Sequence, residues 1–154
     1  MFNFRLQTVL EHKKQLEEKQ MLEFADVKRR LNGEKETLKK LKRERADLIF
    51  QLKKMGENRL NAAEASIYLV YISRMKDDET HREKIICKIE KELKKKRSEL
   101  VDASKKKRIL EILKEKKLKE YRLSLISREQ KELDESWLLR FDRSVKNEKI
   151  DNCM

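Results

Sequence analysis

Residues 55–66 read MGENRLNAAEAS. This stretch decides the fold, because it interrupts two long apolar periodicities in a chain with almost no other punctuation. Gly56 suits a helix C-terminus, since it enters the left-handed backbone region without a Cβ penalty. Asn58 and Asn61 suit a turn or a helix N-cap. The chain has 154 residues, two Gly and no Pro, so turn-forming residues are scarce everywhere else.

Working back from the interruption, apolar residues and their substitutes alternate in steps of four and three. The series is Phe24, Val27, Leu31, Glu34, Leu38, Leu41, Arg45, Leu48, Leu52 and Met55. That is the a/d seam of a heptad repeat. Leu6, Val9, Lys13 and Leu16 keep another frame, so a four-residue stutter through Gln20 is expected between the two. Working forward, a second seam runs Ile72, Met75, Glu79, Arg82, Ile86, Ile89, Leu93, Lys96, Leu100, Ala103, Lys107 and Leu110. It then shifts frame into Leu118, Tyr121 and Leu125.

Two long helices joined by a short connection become antiparallel neighbours. The fold class is therefore all-α: an antiparallel two-helix coiled coil, a helical hairpin whose second helix is the longer. The alternative is one unbroken helix that dimerises. The expected boundaries are a first helix over 1–56, a turn at 57–61, a second helix over 62–145 and a flexible tail at 146–154. At about 1.5 Å per residue the arms would span roughly 80 and 125 Å. Residue 2 would then lie near residue 115.

Charge agrees with the hairpin. It sets Lys39, Lys40, Lys42, Arg43 and Arg45 opposite Asp77, Asp78 and Glu79, and opposite charges flanking a seam select register. Lys and Arg number 41 against 29 Asp and Glu, for a net charge of +12, and 45% of residues are charged. The excess is local: +6 over residues 1–60, −1 over 61–93, +8 over 94–119 and −1 over 120–154. The runs KKKR at 94–97 and 105–108 dominate the basic segment. They read as a solvated helix face or as a docking patch for an acidic protein, anionic lipid or nucleic acid. Stacking aromatics and groove-reading side chains are missing from the patch, which disfavours nucleic acid.

The longest apolar run, IYLVYI at 67–72, is far short of the roughly 18 residues of a membrane span. It is apolar on all faces, more than one seam absorbs. Tyr68, Tyr71 and Met75 share a stripe at i, i+3 and i+7. Core packing against residues 48–55 accounts for about half of the run, and the rest is a candidate docking spot. The opening, FNFRLQTVLEHKKQLEE, is also apolar, but Arg5, Gln7 and Glu11 break any signal-peptide core. Cys87 and Cys153 lack metal or redox spacing and read as free thiols. His12 and His81 read as surface histidines. There is no phosphate loop, no nucleophile beside a base and no carboxylate pair, so neither catalysis nor a cofactor is expected.

Three stretches together carry a family resemblance: FNFRLQTVLEHKKQLEE at the start, YISRMKDDETHREKI after the turn and EQKELDE at 129–135. The chain resembles the flagellar export protein family FliJ over nearly its whole length. The resemblance implies a cytoplasmic, non-enzymatic component of the flagellar type III export apparatus, peripheral to the inner membrane. It implies a coiled coil similar to the central stalk of rotary ATP synthases. Its partners would be the export ATPase hexamer, the export gate membrane protein and export chaperones, with no small-molecule substrate. Phe2, Phe4, Leu6, Val9, Leu10, Tyr121, Leu125, Trp137 and Phe141 would face the ATPase. Leu41, Leu48, Tyr71 and Met75 would face the gate, while Thr37, Glu44, Asp78 and Arg82 depart from the family's types. A virulence type III secretion stalk protein is the neighbouring reading. An adaptor coiled coil with other partners and a basic coiled coil that binds nucleic acid are the rivals.

Overall fold

The computed structural model describes the backbone of residues 1–57 and 61–151, and the side chains of residues 1–56 and 61–146. Two helices account for nearly all of it: α1, Gln7–Glu57, and α2, Ala62–Asp151. They pack against each other, and no strand occurs among the described residues. The chain divides into two compact units, one of residues 13–105 and one of residues 1–12 with 106–154.

In the 13–105 unit the helices run antiparallel. Glu23 meets Lys96, Arg30 meets Glu92, Arg82 meets Glu34 and Arg45 meets Glu79. From Glu23 to Arg45 on α1 the partner on α2 falls from Lys96 to Glu79, as a hairpin requires. Lys42 pairs with Glu83 at 3.0 Å. The expected charge opposition is thus met by Arg45 with Glu79, while Asp77 and Asp78 are exposed. In the other unit the residues before α1 fold onto α2. Lys114 Nζ donates to Gln7 Oε1 at 2.9 Å, and the Phe2 and Tyr121 ring centroids lie 5.6 Å apart.

The α2 seam is the expected one. From Ile72 to Leu110 every position of the series is buried or half-buried, and the shifted positions Leu118, Tyr121 and Leu125 are half-buried. The first part of α1 is not as expected. Leu6 and Val9 are exposed, whereas Leu10 is 1% exposed. From Leu10 one set of covered positions runs Lys13, Glu17, Gln20, Phe24 and Val27 and on to Leu52 in steps of three and four, and Leu16, Glu23, Thr37 and Ile49 next to it are half-buried as well. One heptad frame thus runs unbroken from Leu10 to Leu52, so this burial pattern requires no stutter, while Lys13 and Leu16 of the expected earlier frame are half-buried and Leu6 and Val9 are not. Polar residues hold three of its early positions, Lys13, Glu17 and Gln20, and the expected series departs from it at Leu16, the apolar neighbour of Glu17.

Three boundaries also differ. Residues 1–4 have no regular structure, and α1 begins at Gln7, whose backbone N–H donates to Phe4 at 3.0 Å. Gly56 is not a left-handed cap. It lies inside α1 with helical backbone, and a Cβ there would meet nothing within 4 Å. Asn61 sits at the start of α2, its carbonyl accepting from Ala65 at 3.1 Å, while Asn58 lies outside the described residues. At the far end α2 continues past residue 145 to Asp151, where a tail was expected from 146. The carboxylate of Glu64 in the first turn of α2 and the cation of Lys54 in the last turn of α1 both interact favourably with the local helix dipole.

Candidate partner-binding surfaces

The seam is sparsely apolar. Among the described residues the buried apolar side chains are Phe4, Leu10, Val27, Leu31, Met75 and Ile86, of which Leu10 alone is fully buried. Each contributes about 1.5–3 kcal/mol by leaving water. Between them the seam is closed by polar pairs. Arg45 Nε donates to Glu79 Oε1 at 2.7 Å, and Glu79 is 5% exposed. Arg82, a departure from the family pattern, donates to Glu34 at 2.8 Å. Thr37, another departure, donates back to the Gly33 carbonyl at 2.9 Å. Both are thus occupied within the chain.

Lys96 belongs to the first KKKR run, yet it is a seam residue. Its ammonium reaches Glu23 at 2.8 Å and Glu99 at 3.4 Å. The hydrogen bond from Lys96 holds the Glu23 carboxyl below its usual range, and the same bond holds the Lys96 ammonium above its usual range. On the other unit the Lys117 ammonium, 2.9 Å away, lowers the Glu120 carboxyl in the same way.

At the turn end of the 13–105 unit, the structure brings Leu48, Tyr71 and Met75 to one shallow groove with Glu44, Asp47 and Gln51. Their roles differ. Met75 is 5% exposed and serves the seam, and Leu41 and Leu48 are half-buried there. Tyr71 is 55% exposed. The expected common stripe of Tyr68, Tyr71 and Met75 therefore splits: Tyr68 and Met75 turn inward, Tyr71 outward. With Ile67, Leu69 and Val70 also exposed, the seam absorbs only Tyr68 and Ile72 of the apolar run.

The residues expected at the ATPase all lie in the unit that holds both terminal segments, but they are not equivalent. Phe4 and Leu10 are already buried by their own chain, so they are core and not free surface. Phe2 is half-buried on Tyr121, and Leu125 is half-buried beside it. Leu6 and Val9 remain open. Trp137 is 66% exposed and stacks on Phe141 with centroids 5.7 Å apart and planes at 11°. Leu133, Leu138 and Leu139 are exposed around them. Leu138 and Leu139 widen this patch beyond the Trp137 face. Cys87 is exposed on α2, and Cys153 lies outside the described residues.

The fold is thus an antiparallel helical pair whose seam is closed partly by interhelical ion pairs and which leaves large apolar side chains exposed at the turn end, around Trp137 and elsewhere on α2, surface of the kind that partners cover. No helix among the described residues is long and apolar enough to cross a membrane. The family model described as flagellar FliJ protein matches residues 1–146. The chain belongs to that family, and is accordingly a component of the flagellar protein export apparatus. It matches none of the curated proteins and none of the solved structures with which it was compared.

Proposed function

We propose that the protein is the stalk or coupling component of the export apparatus, joining the export ATPase ring to the export gate membrane protein and escorting export chaperones. The family match over residues 1–146 carries this reading. The match is to the flagellar model, which supports a flagellar over a virulence secretion role. The ATPase is assigned to the unit holding both terminal segments, where Trp137 and Phe141 form an open aromatic pair. Aromatic anchors of this kind dominate interface energetics. The gate is assigned to the turn end, through Tyr71 and the exposed apolar residues beside it. Work at the inner membrane is then peripheral.

Truncation after Arg128 removes Trp137 and Phe141 but keeps the Phe2–Tyr121 contact that closes the unit. The truncated chain is expected to stay helical and to lose ATPase association and any stimulation of hydrolysis. Pull-down of the ATPase by the truncated chain at full-length affinity overturns the assignment.

A further inference from the structure

One face of α2 is left over by this reading. Ile109, Ile112, Leu123 and Ile126 are each at least half exposed. Their spacings are three, eleven and three, so they share one helical face with Lys116 and Lys119, which fill the heptad positions between them. The half-buried residues Leu110, Lys114, Leu118 and Tyr121 occupy the opposite face. Over residues 106–126 there are eight Lys and Arg against three Glu. Arg108 pairs with Glu111 and Glu115, and Lys117 pairs with Glu120. The acids are thus answered locally, and Lys116 and Lys119 are exposed with no ion pair among the described residues, Lys116 acting on Glu120 only as the weakest of the charges that lower its carboxyl.

We propose that this face of α2, Ile109 to Ile126, rests on an anionic membrane surface, with the four aliphatic side chains at the acyl boundary and Lys116 and Lys119 on lipid phosphates. A basic helix with branched aliphatic side chains on one face has the composition of an interfacial helix. Lysines among those side chains suit a lipid surface, because their stems lie along apolar surface while the ammonium reaches the phosphate plane. A partner helix would have to bury the same two lysines and supply a carboxylate for each, as Glu23 does for Lys96 within this chain. Nucleic acid would use the lysines but leave the isoleucines without a role. Glu129, Glu132, Asp134 and Glu135 follow the face and repel anionic lipid, which places the edge of the contact before Trp137. The contact lies in the same unit as the proposed ATPase site but uses other side chains than Trp137 and Phe141, and it does not depend on that assignment.

The test is co-sedimentation of the full chain with phosphatidylcholine vesicles, with and without about a quarter phosphatidylglycerol, at about 0.1 M salt. Binding is expected to the anionic vesicles alone. Lys116→Glu with Lys119→Glu is expected to weaken it by about tenfold or more, and Ile109→Ser with Leu123→Ser by a similar factor, with unchanged helicity. Lys39→Glu with Lys40→Glu makes the same change of net charge on exposed α1 positions and is expected to leave most of the binding. Equal losses for the α1 and α2 charge variants, with none for the serine variant, mean that net charge alone is at work and overturn the proposal. So does absence of vesicle binding, including the case in which the chain captures a DNA duplex instead.

Discussion

Leu10, Glu79 and Gln20 show how unevenly single residues hold this protein. Leu10 is the most completely buried large side chain among the described residues, and Leu10→Ala should cost about 2–4 kcal/mol. Glu79 is a buried carboxylate held by one guanidinium. Removing Arg45 alone strands that charge, so Arg45→Leu should destabilise by roughly 1–3 kcal/mol, tempered by the partial exposure of Arg45. Arg45→Leu with Glu79→Leu should recover most of the loss, because a well-packed apolar pair replaces a desolvated ionic one. Urea midpoints at constant m-value read both effects. Gln20 occupies a heptad position with its side-chain oxygen buried and without a partner. Gln20→Leu should therefore stabilise by about 1 kcal/mol, and a lower urea midpoint would contradict this account of the seam.

At the scale of the helix, the α2 frame was legible because Ile and Leu recur on it from Ile72 to Leu110. The α1 frame was legible only from Phe24. Before that, Lys13, Glu17 and Gln20 are covered together with Leu16, while Leu6, Val9, Met21 and Leu22 are exposed. Identity misled where spacing did not: the steps from Val27 to Phe24, carried backward in threes and fours, arrive at Leu10. The residues proposed for the ATPase were recognisable as apolar, but which of them the chain itself covers was not. That depends on where residues 1–6 leave helical geometry and how far they reach along α2, neither of which has a sequence signal. The tip residues divided for the same reason, since Tyr71 and Met75 differ by helical phase and not by composition.

Two element-scale predictions follow from the interhelical pairs. Lys28 and Lys94 flank one cavity between the helices. Spin labels at these two positions, with the native cysteines replaced, should give a short distance that survives dilution with unlabelled chain. A distance that vanishes on dilution would mean that the pairing is between chains. The Glu23–Lys96 pair should give pH-dependent stability. Because the Glu23 pKa is lowered from 4.5, its contribution is present above that value and is lost as pH falls through the lower folded-state value. Because the Lys96 pKa is raised from 10.5, its contribution is full below that value and is lost as pH rises through the higher one. The melting difference between the natural chain and Glu23→Gln should be flat around neutrality and close at acid pH.

For the whole molecule, the proposed partners fall on different units, and this makes their losses separable. Trp137 and Phe141 belong to the unit of both terminal segments, and Tyr71 belongs to the 13–105 unit. All three are more than half exposed, so replacing them removes little internal packing. Surface substitutions of this kind usually move stability by no more than about 0.5 kcal/mol. Met75 and Leu10 cannot serve as probes of the same surfaces, because their replacement opens cavities and lowers binding through unfolding. Trp137→Ala with Phe141→Ala should therefore weaken ATPase association by at least about tenfold, given that aromatic anchors typically account for 2 kcal/mol or more of an interface. It should leave association with the gate's cytoplasmic segment unchanged. Tyr71→Ala should do the reverse. Titrating both partners against both variants, with melting curves as the control for folding, measures the four outcomes directly. If each variant weakened both partners equally at unchanged melting temperature, the division of binding between the two units would be wrong.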